Sequence, residues 1–299
     1  MDKKNGSDFL VVLTKQCARP PWGLEHHYTD GQKTRNPGYG DINLQRKCSE
    51  TLEDFSPRTK ARNSRRVVHL PEGGGFSMNI GPYCHYATRN GVSAVFSGEI
   101  GSWPGIDVMK MSHDAFVRGE EEGSMRDDAT FLLDFYDTFK DFVASDVTDI
   151  ALSSLAKIDG RFAFVIYDGD QKRVLAARDR QGAQDMHWGV TDDGRFMFGS
   201  EDIDLRECNP TATPFPAGTL YASEGESIAM SPGDKGWVMA GEEWPGQLLS
   251  FVRRTRPPMP TAVNAWRDVK AIPRVTSKGM LCGAVYRVAS EQQLAPEIF

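Results

Sequence analysis

The stretch from Ile158 to Gly182, IDGRFAFVIYDGDQKRVLAARDRQG, constrains the fold of this chain more than any other. Phe162, Phe164 and Ile166 alternate with Ala163, Val165 and Tyr167, so both faces of the strand they form are apolar. Such a strand has to be covered on both sides. Asp168 to Gln171 then supply turn chemistry, and Val174 to Ala177 bring the chain back as a second strand. The pair ends in an Arg-Asp-x-x-Gly turn, Arg178 to Gly182. A chain built around this hairpin must be layered.

The flanking segments extend the same picture. Phe9 to Thr14 (FLVVLT) is a short apolar run and reads as a buried strand. Gly75 to Ile80 and Val92 to Ser97 read as further strands, with Thr88 to Gly91 as a turn before the second. A helix begins after Asp127 or Asp128, either of which can cap it. Phe131, Leu132, Phe135, Phe139 and Phe142 give that helix one apolar stripe. A second helical run carries Ile150, Leu155 and Ile158, and Asp159-Gly160 is expected to terminate it. A hairpin over 186–200, a strand at Gly218 to Ser223, and a closing hairpin over 269–288 follow. Strands, then a helix pair, then hairpins indicate an α+β fold, antiparallel sheets with helices packed outside.

Two regions lack such patterns. Residues 18–66, rich in Pro, Gly, Asn and charge, are read as an extended surface segment without a long element. Residues 224–260, with Trp237, Trp244 and the run Arg253 to Pro260 (RRTRPPMP), are read as a surface insertion, an arm whose aromatic and Arg content suits a protein partner. The expected organisation is a flexible N-terminus over 1–8, one domain over 9–289, and a tail over 290–299.

Composition excludes several classes. The net charge of −6 gives nucleic acid no electrostatic reason to bind, and Arg58 to Arg66 is read as a solvated loop. No apolar run approaches the roughly 18 residues of a membrane span. The first residues hold too few apolar positions for a secretory signal, so a cytoplasmic location is expected. Five cysteines without a C-x-x-C pair suggest free thiols in a reducing compartment. The six histidines show no metal-ligand spacing, and His26-His27 would need distant partners. Gly73 to Gly75 lack the following Lys of a phosphate loop, so neither metal nor other cofactor is expected.

LAKIDGRFAFVIYD, ARDRQG with the later HWG, FMFGSE and FPAGTLY together resemble the second half of the class II glutamine amidotransferase domain, the N-terminal-nucleophile domain of asparagine synthetases. VVLTKQCARPPWGL near the start and KAIPRVTSKGMLCGAVYRV near the end are similar to the plant stem-specific or aluminium-induced proteins. The resemblance implies a four-layer αββα sandwich, two antiparallel sheets stacked between helices.

It also implies site roles. In active members an N-terminal cysteine attacks the glutamine amide, with its own α-amino group as base. Here the first strand begins at Phe9 or Leu10, neither a nucleophile. Cys17 is the nearest cysteine, a weak candidate nucleophile against its reading as an ordinary thiol, and Ser7 would need a processed N-terminus. Ser97-Gly98-Glu99 stands where active members carry Asn-Gly-Glu, so the Gly98 amide remains as oxyanion donor while the Asn donor is replaced. Losing one such donor costs about 10²- to 10³-fold in rate. Glu99 and Asp128 match the carboxylates that hold the α-amino group of glutamine, although Asp128 could equally be the helix cap. The arginine that clamps the glutamine carboxylate falls at Cys84, or at Arg89 if a gap intervenes. Asp159, Gly160, Arg178, Asp179 and Gly182 are read as architecture: a helix terminator, a buried ion pair, and a glycine for a positive-φ turn. Two functions follow as expectations: a non-catalytic amidotransferase-like protein that acts by binding, with glutamine or a similar small amide as the ligand, or as a subunit of a larger assembly, and a processed amidohydrolase beginning at Cys17 or Ser7.

Overall fold

The structure, a computed structural model, describes residues 9–21, 24, 37–55, 64–103, 127–141, 144–208, 212–224, 246–252, 269–275 and 281–288. Its strands in chain order are β1 (Phe9–Leu13), β2 (Arg65–His69), β3 (Gly74–Asn79), β4 (Cys84–Arg89), β5 (Val92–Ser102), β6 (Asp159–Asp168) and β7 (Arg173–Arg178). The later ones are β8 (His187–Val190), β9 (Phe196–Gly199), β10 (Thr213–Pro214), β11 (Thr219–Glu224), β12 (Gln247–Ser250), β13 (Val269–Val275) and β14 (Leu281–Val288). Three α-helices, α1 (Pro37–Asp54), α2 (Asp128–Asp137) and α3 (Ala144–Leu155), and a 3₁₀ helix (Asp202–Cys208) complete the described elements.

The strands form two antiparallel sheets. The smaller has the order β10-β8-β9-β1-β3-β2 and the larger β13-β14-β12-β11-β7-β6-β5-β4. Alternation along the strands decides what each sheet faces. Phe9, Val11 and Leu13 of β1 pack between the sheets with Val95, Val165, Ala176 and Tyr221 of the larger sheet. Trp188 anchors this interior, its ring 4.6 Å from Phe215 and 6.0 Å from Tyr221. Leu10, Val12 and Met197 point the other way, onto Cys48, Leu52 and Phe55 at the end of α1 and Leu205 of the 3₁₀ helix. On the far side, Phe96, Phe162, Phe164, Leu175 and Leu220 meet Phe131, Leu132 and Phe135 of α2 and Val147, Ala151 and Leu155 of α3. Helix, sheet, sheet, helix: the fold is the α+β four-layer sandwich that the resemblance implies.

The central hairpin is as expected. β6 and β7 pair from Ala163↔Arg178 to Asp168↔Arg173, and the residues from Phe162 to Asp168 are buried on both faces. The closing hairpin rejoins the body, with Leu248↔Tyr286 joining β12 to β14. The helix after Asp127 is also as read: the Asp127 carboxylate accepts from the Thr130 N–H at 2.9 Å. Replacing Asp127 with alanine is expected to cost about 1 kcal/mol, measured by urea unfolding, because one first-turn amide loses its acceptor.

Four expectations change. The segment 18–66 contains an 18-residue helix, α1, opened by Pro37. Its stripe is Leu44, Cys48, Leu52 and Phe55, half-buried at the first and buried at the other three, and the sheet beneath it stabilises a helix whose composition alone is unpromising. Gly160 ends no helix: α3 stops at Leu155 and Gly160 lies in β6 opposite Ile100. Its Cβ would stand 2.6 Å from the Glu99 carbonyl oxygen, so the glycine serves close backbone approach between strands. β4 was not foreseen, and pairs with β5 through a turn in which Asn90 and Gly91 take φ of 50° and 75°. Gln247 to Ser250, inside the expected arm, form β12 against β11. Residues 225–245, with Trp237 and Trp244, and 253–260 of the arm lie outside the described residues, as do 58–63 of the Arg58 to Arg66 run, whose end, Arg65 and Arg66, lies in β2 and not in a loop.

Candidate functional site

Ser97-Gly98-Glu99 lies on β5, with Ser97 opposite Cys84 of β4 and Ala163 of β6. Ser97 is fully buried, and its Oγ accepts from Nε2 of Gln184 at 2.7 Å. Gly98 has φ of 122°, and its N–H donates to the Tyr83 carbonyl at 2.8 Å. The amide expected to remain open as an oxyanion donor is therefore engaged within the protein. Glu99, the next residue, is exposed.

β5 runs on to Ser102, and the indole N–H of the following Trp103 donates to Oδ1 of Asp128 at 3.1 Å. The cap of α2 is Asp127, which leaves Asp128 free of capping. Burial raises the Asp128 carboxyl above its ordinary range; the Trp103 hydrogen bond and His85 oppose the shift, and Asp127 and Glu99 reinforce it. Glu99, Asp127, Asp128 and His85 thus share one acidic corner at the N-terminus of α2. Nδ1 of His85 is buried there without a hydrogen-bond partner. The structure brings Ser97, Gly98 and Glu99 together by sequence and adds Asp128 through Trp103, a residue that the sequence reading passed over. Nothing in a lone tryptophan before an unpatterned stretch signals this contact.

In the Arg-Asp-x-x-Gly turn the hydrogen bonds of both charged side chains go to the backbone, while Asp185 and then Asp179 favour the Arg178 charge. Arg178 donates to three carbonyls, of Gln184 at 2.6 Å, Phe215 at 2.8 Å and Gly182 at 2.8 Å. Its salt-bridge contact is Asp185 at 3.6 Å. Asp179 instead gathers backbone amides: Oδ1 accepts from Gln181 and Ala183 at 3.0 Å each, and Oδ2 from Gln184 at 2.9 Å. Gly182 takes φ of 62°, the positive-φ turn expected. The two side chains together fold the turn so that Gln184 reaches Ser97. Gln184 is the residue missed, because the motif ends two positions before it.

Cys17 is remote from this corner. It is fully buried after β1, and its Sγ donates to the Gly73 carbonyl at 3.2 Å. Burial is the largest influence raising its thiol pKa, against hydrogen bonds from Thr14 and Tyr167. Tyr167 pairs with Ser93, four residues along β5 from Ser97, or about 13 Å of strand. A buried thiol with a raised pKa is a poor nucleophile. At the head of β1, Phe9 is fully buried and its N–H donates to Oγ of Ser200 at 3.2 Å. Arg89 pairs with Asp134 at 2.7 Å and Asp137 at 2.5 Å. It stands opposite Val92, at the other end of β4 from Cys84, so a gap does not bring it to the site. Asp159 lies exposed at the start of β6, opposite Ser102.

Comparison with known proteins agrees with the resemblance. Residues 122–236 match the family model described as aluminium induced protein. A probable glutamine-hydrolysing asparagine synthetase of Dictyostelium discoideum is 36% identical over 67 residues, 22% of this chain and 12% of that protein. Glutamine-hydrolysing asparagine synthetase 1 of Saccharomyces cerevisiae is 36% identical over 73 residues, 24% of this chain and 13% of its own length. The matched segments thus span about an eighth of those relatives. Among solved structures, glutamine phosphoribosylpyrophosphate amidotransferase from B. subtilis aligns over 60% of this chain and 35% of its own, at 16% identity and a TM-score of 0.36. Among the described residues no helix is long and apolar enough to cross a membrane.

Proposed function

We propose that this chain, whose central segment matches the aluminium induced protein family, is an amidotransferase-like binding protein that does not hydrolyse glutamine. The observation that carries the reading is the Gly98 amide donating to the Tyr83 carbonyl at 2.8 Å. Hydrolysis of an amide needs donors aimed at the oxygen on which negative charge develops. Gly98 is committed to Tyr83, and Ser97 Oγ to Gln184. The head of β1 offers Phe9 and Leu10, neither with a nucleophilic side chain.

The ligand best suited to the corner is glutamine or a similar small amide carrying an amino group. Glu99 and Asp128 supply two carboxylates for that cation. Residues 9–289 act in this reading as one domain, located in the cytoplasm, with the 224–260 arm available to a protein partner. A processed hydrolase starting at Cys17 is disfavoured on physical grounds. Cleavage there would remove β1 from between β9 and β3 in the middle of the smaller sheet.

The test is ammonia release from glutamine by the intact chain, with calorimetric titration of glutamine alongside. No turnover above background is expected, with binding that weakens about tenfold in Asp128→Asn, a loss of roughly 1.4 kcal/mol. Sustained turnover would refute the reading, and turnover abolished by Cys17→Ala would restore the hydrolase.

A further inference from the structure

On the opposite face of the larger sheet from Ser97, an open cavity of about 820 Å³ lies where α3 ends and the chain leaves β12. That volume suits a drug-sized organic molecule. Leu152 and Ala156 of the α3 end form one apolar wall, and Phe251 and Val252 form the other. Phe251 is fixed there by its N–H, which donates to the Gly218 carbonyl at 3.1 Å. Gly218 packs the components together: a side chain at that position would meet Val252 and come within 3.6 Å of the Arg180 Cα.

The polar groups of this cavity are of one sign. Ser153 and Ser250 direct their hydroxyls to the Ile150 and Gly218 carbonyls. Lys157 and Arg180 are both exposed at the rim, and no described carboxylate pairs with either. Lys157 follows the end of α3, where it offsets the partial negative charge of that terminus. Arg180 then leaves the cavity mouth positive. Its position is set by the neighbouring Asp179, whose carboxylate holds the amides of Gln181, Ala183 and Gln184.

We propose that this cavity binds one small organic anion, with an apolar body between Leu152, Ala156, Phe251 and Val252 and a carboxylate or sulfonate head between Lys157 and Arg180. The site is separate from the Ser97 corner and stands whether or not that corner binds an amide.

The probe is 8-anilinonaphthalene-1-sulfonate, an apolar anion whose fluorescence rises on burial, titrated into the intact chain. Saturable binding of one probe per chain is expected, displaced by decanoate and not by 1-decanol. The Lys157→Glu/Arg180→Glu double variant should bind about tenfold more weakly or worse, since two surface charges are reversed. Ala156→Trp, which fills the cavity without changing charge, should abolish binding. Circular dichroism confirms that each variant is folded, and Lys157→Gln/Arg180→Gln replaces the double variant if it is not. Affinity unchanged in the charge variants, equal displacement by decanol, or binding that survives Ala156→Trp would each overturn the proposal.

Discussion

Replacing Arg178 with methionine should destabilise the protein by about 3–5 kcal/mol, the range for breaking a buried charged network by removing one partner. The Arg178 side chain is only 11% exposed. Its guanidinium satisfies the carbonyls of Gln184, Phe215 and Gly182, three acceptors on two loops. Methionine preserves the apolar stem and leaves those carbonyls without a donor, at about 1–3 kcal/mol each before relaxation. Lysine should recover little, because an ammonium cannot reproduce the planar fork. Denaturant unfolding followed by circular dichroism reads the result. A loss below about 1 kcal/mol in Arg178→Met would mean that water reaches these carbonyls, and that the turn is not a rigid support for Gln184.

Gly98→Ala is the second large effect, at about 3 kcal/mol or more, since a strained backbone and a backbone collision act together. With φ of 122°, Gly98 occupies a region that L side chains rarely adopt, and an added Cβ would collide with the Arg161 carbonyl. That atom belongs to β6, which lies between β7 and β5 in the larger sheet, so relief requires separating β5 from β6. Gly101, three residues along the same strand, is the control. Its Cβ would find only the Asp159 carbonyl oxygen at 3.8 Å, ordinary contact. Gly101→Ala should therefore stay within about 0.5 kcal/mol of the parent. Equal melting temperatures for the two variants would show that β5 and β6 are not held at this spacing.

The parts of the fold legible in the sequence are those whose cause is local. The β6–β7 hairpin declares itself because six consecutive apolar residues at period two are followed by turn residues, all within a few positions. The cap at Asp127 is equally local: a carboxylate three residues before the amide that it accepts. α1 was not legible. Leu44, Cys48, Leu52 and Phe55 are correctly spaced, but Gly38, Gly40 and Asn43 ahead of them and the Ser, Thr and charged residues between them weaken the helix until β1 and β3 lie beneath it.

The site divides in the same way. Sequence placed Ser97, Gly98 and Glu99 side by side, because they are neighbours on one strand. It also suggested a buried ion pair at Arg178 and Asp179; Asp179 does attract the guanidinium, but the hydrogen bonds of both side chains go to backbone groups. Adjacent residues at a strand end point in different directions, one toward Phe215 and the other into its own turn. The commitment of the Gly98 amide to Tyr83, the link from Trp103 to Asp128 and the reach of Gln184 to Ser97 span 15, 25 and 87 positions respectively for the three pairs. The run of apolar residues on both faces of β6 thus determined by itself only that this strand is covered on both sides within an α+β fold; the number of layers is not fixed by that pattern. Which polar groups remain free to meet a ligand was decided only by tertiary structure, because hydrogen bonds depend on distances that no local pattern fixes.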